Sequence, residues 1–378
     1  MTTTDSGGRS PSGARPFWRD AVEPYARADR GRSWWFLLTS APPYLMLFIL
    51  MDFALRISYL LTLALAFPAA GFLVRVYIIF HDCTHGSFLT SKRGNRWLGT
   101  FLGLLTFSAF DCWQHEHAIH HATAGDLDRR GVGDVWTLTV AEYNARPWRG
   151  RMAYRLFRNP LIMFGLGPFF ALVVQPRIMP HSARPRIKRS VMATNAVLVV
   201  LVGGLCVLMG WRNYALVQAP IIVLAGAAGI WLFYVQHQFE DVYWEGSASW
   251  SYPAAALHGS SYLKLPKVLQ FFSGNIGFHH VHHLSARIPS YNLPRAHLEN
   301  AIFHDVPTLS LTDGLRAVNL KLYDQDRGRM VTFAQARTSS HRTHEQLARR
   351  WIPNMGRAGR AAARGGATAP GQNPGTSR

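Results

Sequence analysis

The chain has 378 residues, enough for one large domain or two, and its 48% hydrophobic content with a mean hydropathy near zero is ordinary for a globular protein. A net charge of +19 would suit nucleic acid, but the 40 Lys and Arg gather at the two ends and between apolar runs, with no nucleic-acid-binding motif among them, so that class is excluded. Three scattered cysteines, Cys83, Cys112 and Cys206, exclude a disulfide framework and a zinc ribbon.

In chain order, Met1 to Arg15 is polar and lacks the apolar core of a cleavable signal, so the first spanning helix is expected to direct insertion. Trp34 to Met51 and Ile57 to Phe80 are each apolar enough to cross a hydrocarbon layer of about 30 Å and are joined by five residues, which predicts a helical hairpin. Leu98 to Phe110 and Leu161 to Val174 are too short to span and contain glycine; they predict interfacial or re-entrant segments. A second hairpin is predicted from Val191 to Gly210 and Tyr214 to Gln236. The connection between the hairpins, from Lys92 to Arg189, carries a surplus of Arg and Lys, which places it in the cytosol. Beyond residue 284 the pattern suits a cytosolic cap of short helices, and from about Arg350 a basic tail has little to bury and reads as disordered. The expected organisation is a cytosolic segment over 1–33, a membrane domain over 34–310, C-terminal helices over 311–349 and a disordered tail over 350–378. The fold class is therefore an all-α integral membrane protein: four transmembrane helices as two hairpins, interfacial helices, and a cytosolic helical cap holding a histidine-rich di-metal site.

Ten of the seventeen histidines fall in three clusters, each on the side assigned to the cytosol. His81-Asp82-Cys83-Thr84-His85 closes the second span, and if that helix runs on by a turn its two imidazoles share a face. His117-Ala118-Ile119-His120-His121, preceded by His115-Glu116, and His279-His280-Val281-His282-His283 place imidazoles at i, i+3 and i+4. Neutral imidazole binds zinc, copper, nickel and iron alike. Eight nitrogens, however, are about twice what one tetrahedral zinc site takes, and they fit two ions with open positions better. His181, His297, His304, His341 and His344 stand alone and read as ordinary surface or core histidines, and His258 is left open.

With these residues in view, the chain resembles the membrane fatty acid desaturases of the bacterial acyl-lipid type, related to plant omega-6 desaturases. The resemblance covers about residues 34 to 310 and rests on the stretches His81 to Phe88, Asp126 to Trp136 and Gly274 to His283. It implies two irons held by His81, His85, His117, His120, His121, His237, His279, His282 and His283, with His237 as the further histidine after the last span. His115 and His280 lie off the pattern and are expected beside the ligands. Asp82, Glu116, Glu240, Asp241, Asp126 and Asp134 are candidates to accept the outer N–H of a ligand ring, with Asp82, Glu116 and Asp241 preferred. The resemblance also implies O2-dependent insertion of a cis double bond into a membrane lipid acyl chain at the cytosolic face of a bacterial inner membrane. No dinucleotide fingerprint, flavin site or haem motif is present, so two electrons are expected from an external ferredoxin-like or cytochrome-type carrier. His279 stands where front-end desaturases carry glutamine, which argues against that type.

A membrane di-iron hydroxylase or a carotenoid-modifying enzyme would share these clusters. A metal transporter would need ionisable groups near the bilayer midplane, and the spans contain only Arg75, expected to snorkel to the cytosolic end.

Overall fold

The structure is a computed structural model that describes residues 17–178 and 183–337. His181, His341, His344, residues 1–16 of the expected N-terminal segment, 338–349 of the expected C-terminal helices and the tail over 350–378 lie outside the described residues. The described residues are mostly helical, and four helical stretches among them are long and apolar enough to cross a membrane.

The first of these is broken. Helix α1 (Arg30–Leu38) begins on Asp29, whose side chain accepts from Arg32 N, and it gives way at Thr39–Ser40 to α2 (Ala41–Leu55). Pro42 and Pro43 lack the N–H groups that would carry the ladder through, so they can only open a new helix. Helix α3 (Tyr59–His85) runs five residues past its apolar run and stops at Gly86, whose left-handed backbone (φ 70°) suits glycine. The first histidine pair is therefore helical, the condition under which its two imidazoles share a face. Ala66, Ala69 and Ala70 let neighbours approach α3 closely, and α2 and α8 (Trp211–His237) both pack on it.

The run from Leu98 to Phe110 is not one element. Helix α4 (Lys92–Leu105) ends at a tight turn in which Phe107 takes φ 55°, and α5 (Phe110–Thr123) starts afresh. The run from Leu161 to Val174 winds partly as wide π-helical turns, bent by 54° from α6 (Trp148–Phe157). Helix α7 (Pro185–Met209) packs against both α5 and α8.

Arg75 does not snorkel as expected. It is 5% exposed, lies 3.6 Å over the Phe36 ring and 4.0 Å over Phe271, and donates to Ser40 Oγ at 2.9 Å and to the Phe271 carbonyl. Two aromatic faces and two neutral acceptors stabilise the cation where water does not reach it.

Small strands tie distant segments together beyond the helices. β1 (Leu138–Thr139) pairs in parallel with β4 (Leu322–Asp324), and β2 (Tyr262–Leu263) with β3 (Thr308–Leu309). The short helices α9 (His279–Leu284) and α10 (Leu293–Glu299) follow β2 and pack on each other. The described residues from Val331 to Arg337 belong to a separate unit.

Candidate metal centre

The three clusters sit on ends of helices that converge. His81 and His85 occupy the last turn of α3, His117, His120 and His121 lie on α5, His237 is the last residue of α8, and α9 consists largely of the third cluster. A buried carboxylate with two exposed arginines fixes α5: Asp111 in its first turn receives Arg96 of α4 at 2.7 and 2.8 Å and Arg186 of α7 at 3.1 Å.

The rings sort into two groups. His81, His85, His117, His121 and His282 form one, and His120, His237, His279 and His283 the other; within each, the candidate ligand atoms lie within 4.8 Å of one another. All nine rings proposed as ligands from the resemblance are in these groups, and no other described histidine is.

The hydrogen-bonding roles show why a cation fits between them. Asp134 Oδ1 lies 2.5 Å from His120 Nδ1, and the Gly259 carbonyl lies 3.1 Å from His237 Nδ1. Both partners can only accept, so each Nδ1 carries the proton and each Nε2 is left with a bare lone pair. Those two Nε2 atoms nevertheless face each other at 3.2 Å. Two lone pairs at that distance repel, and a positive ion between them turns the repulsion into bonding. His81 repeats the pattern: its Nδ1 donates to Asp82 Oδ1 at 3.2 Å, and its Nε2 lies 3.0 Å from His117 Nε2. The Nε2 atoms of His121 and His117 are 3.0 Å apart, those of His237 and His279 2.9 Å, and those of His283 and His279 3.1 Å. An ion bonded at about 2.1 Å to two imidazoles at a right angle holds them about 3.0 Å apart, whereas a tetrahedral angle gives about 3.4 Å. The spacing suits six-coordinate ions with room for further ligands. His85 Nε2 and His282 Nε2 are buried with no hydrogen-bond partner, an arrangement costly without an ion.

Electrostatics agree. Burial, aided by neighbouring imidazoles, pushes the pKa of His117, His121, His279, His282 and His283 well below the usual histidine value, so these rings are neutral at physiological pH. Neutral imidazole is the form that binds a metal.

The residues expected beside the ligands divide. Asp82 holds His81 and is itself held by Ser290 N at 2.7 Å. Glu116 accepts only from Cys112 Sγ, at 3.7 Å. His115 and Asp241 are exposed and outside both groups, because each points away from the face of its segment that meets the rings. His280 is buried but turns to His297, 3.0 Å away. His258 is exposed and stays outside. Asp126 anchors its own loop through Arg129, Ser247 and the Asp128 N–H, and Glu240 pairs with Arg329. Asp134, only one candidate among several in the sequence, is the carboxylate that grips His120.

Arg158 carried no sequence signal. Fully buried, it donates to the Trp136 carbonyl at 2.9 Å, Tyr234 OH at 2.8 Å, Gln238 Oε1 at 3.0 Å and the Leu320 carbonyl at 3.1 Å. It joins the loop of Asp134 to the end of α8 that bears His237. A lone arginine in a basic loop reads as solvated, and only the fold brings those acceptors together.

Comparison with known proteins agrees with this chemistry. A family model described as fatty acid desaturase matches residues 54–310. The chain is 46% identical over 312 residues to a fatty acid desaturase of Bacillus subtilis, covering 82% of this chain and 89% of that protein. It is 26% identical over 246 residues to the sn-1 oleoyl-lipid 12-desaturase of Synechocystis sp., covering 60% and 64% of the two chains. It is also 26% identical over 305 residues to the chloroplastic omega-6 fatty acid desaturase of Glycine max, covering 74% and 66%.

Proposed function

Because the chain belongs to the fatty acid desaturase family and is therefore a membrane oxidoreductase, we propose that it inserts a cis double bond into the acyl chain of a membrane lipid, using two histidine-held irons, O2 and two electrons from an external carrier. The observation that carries the metal part is the pair of bare nitrogens of His120 and His237, 3.2 Å apart with both outer N–H groups already committed.

His81, His85, His117, His121 and His282 would hold one ion, and His120, His237, His279 and His283 the other. When bound, the pair supplies oxidising power drawn from O2, which no side chain has and which an unactivated methylene demands. The protein's own work is positioning. Asp82 and Asp134 fix the tautomer and tilt of His81 and His120 and raise their basicity, and the Gly259 carbonyl does so for His237. Burial of the rings keeps water from the reacting carbons. Per turnover the substrate gives up two hydrogens, and O2 takes these with two electrons and two protons to leave two waters.

The relatives named for acyl-lipid substrates support a lipid-linked chain, and the apolar spans support lateral access from the bilayer. The surplus of Arg and Lys between the spans supports a cytosolic face for the centre, at the inner membrane of a bacterium. The segments at 98–110 and 161–174 lie at the interface or re-enter the membrane, and the residues after 284 form a cytosolic cap.

Expression in a host without unsaturated lipids of its own, followed by gas chromatography with double-bond derivatisation, tests the proposal. New unsaturated chains should appear with the native sequence and vanish with His120→Ala. Hydroxylated chains would instead identify a hydroxylase, and unchanged lipids with metal accumulating in the cells a transporter.

A further inference from the structure

The four imidazoles of the second group are buried, so a carrier protein cannot touch them and its electrons must cross part of this chain. His280 follows His279 in α9 but faces away from the group. Its Nε2 lies 3.0 Å from Nδ1 of His297 on α10, with ring centroids 5.0 Å apart. Here one ring can donate and the other accept, so the contact is an ordinary hydrogen bond and calls for no ion, unlike the His120 and His237 contact. The His297 ring lies 6.0 Å from that of His304, which is exposed. Tyr262 packs against this line, 4.7 Å from His297 and 5.9 Å from His280. A peptide link, a hydrogen bond and a ring contact thus run without interruption from a ring of the candidate metal group to the surface. Electron transfer weakens steeply across empty gaps and far less along bonds and hydrogen bonds, so a buried imidazole pair in this position shortens the jump.

We propose that His304, His297 and His280 form the path by which electrons from a small one-electron carrier protein, docked over His304, reach the metal pair. The inference rests on the function proposed above. The carrier is the reductant: it gives one electron at each of two encounters, is itself oxidised, and the two electrons are those that convert O2 to two waters as the acyl chain loses two hydrogens. The histidines relay charge and are unchanged at the end. Their role is to position and connect, not to touch substrate.

The test uses the full iron-loaded chain in detergent, without oxygen or lipid substrate, mixed rapidly with a reduced [2Fe–2S] ferredoxin and, separately, with dithionite. His297→Leu should slow reduction by ferredoxin by about ten-fold or more, one decade of rate, while reduction by dithionite and iron content stay as in the native chain. His304→Ala, an exposed change that leaves the core intact, should slow only the ferredoxin reaction. Equal slowing with both reductants would mark His297 as merely structural, and no slowing with either would remove the path; each result overturns the proposal. A native chain that accepts ferredoxin electrons yet makes no double bond would remove the proposed function and leave the path standing.

Discussion

His120 answers to two neighbours at once: Asp134 fixes its Nδ1 at 2.5 Å, and its Nε2 confronts His237. Asp134→Asn keeps an acceptor but removes the charge that makes the imidazole a better ligand. Changes of this kind cost about 10–100-fold in metal affinity or activity, so iron bound per chain in a chelator competition should fall by that factor in the variant. Asp241→Ala, at an exposed position away from both groups, should leave stability within about 0.5 kcal/mol and iron content unchanged. At this scale eight of the nine grouped rings were legible, because i, i+3 and i+4 imidazoles have few other uses, whereas His237 was indicated only by the family resemblance. Their supports were legible only where they are neighbours in the chain. Asp82 adjoins His81, whereas Asp134 reaches His120 through a loop whose Gly131 (φ 112°) and Gly133 (φ 71°) take conformations that favour glycine. A Cβ on Gly133 would come within 3.0 Å of His120 Cβ and the Glu116 carbonyl, so that approach depends on the missing side chain.

The helices hold their rings in place through a few strong contacts. Asp111 joins α5 to α4 and α7 by charged hydrogen bonds to Arg96 and Arg186. Asp111→Ala should cost about 1.5–3 kcal/mol, seen as a lower thermal unfolding midpoint in detergent together with loss of metal. Gly277, two residues before α9, lies where a Cβ would meet the Leu263 carbonyl at 2.5 Å. Gly277→Ala must push backbone against backbone and should destabilise by about 1–3 kcal/mol, the cost of overpacking, with His279 displaced and iron content reduced. The extension of α3 through His85 was only conditionally legible: the H-x-x-x-H spacing suits one helical face if the helix runs on past the apolar run. The division of the first span was signalled by Pro42 and Pro43, although hydropathy alone bridges them. Nothing in the composition of Leu98 to Phe110 marked the turn at Phe107, since that conformation is imposed by the packing of α4 and α5 on α3.

Across the molecule, the histidine groups make stability depend on pH in a known direction. His117, His121, His279, His282 and His283 have folded-state pKa values below the unfolded one, so between the two the unfolded chain binds more protons. Stability is full above the unfolded value of about 6.5 and declines as the pH falls below it toward the folded values. Protons compete with metal in the same sense. Iron retained after dialysis, and the unfolding midpoint, should therefore hold near pH 8 and fall together below about pH 6.5; a flat profile would contradict neutral, buried rings. The broad plan, apolar spans with histidine clusters at their ends, could be read from segregation of hydropathy alone. How α5, α8 and α9 meet could not, because contacts between residues tens or hundreds of positions apart leave no periodic trace in the chain. The meeting itself has a biological cost. Nitrogens aimed at one another do not close comfortably by themselves, so cofactor supply becomes part of biogenesis. On the function proposed here, a cell starved of iron would hold fewer finished copies of this protein, not merely idle ones.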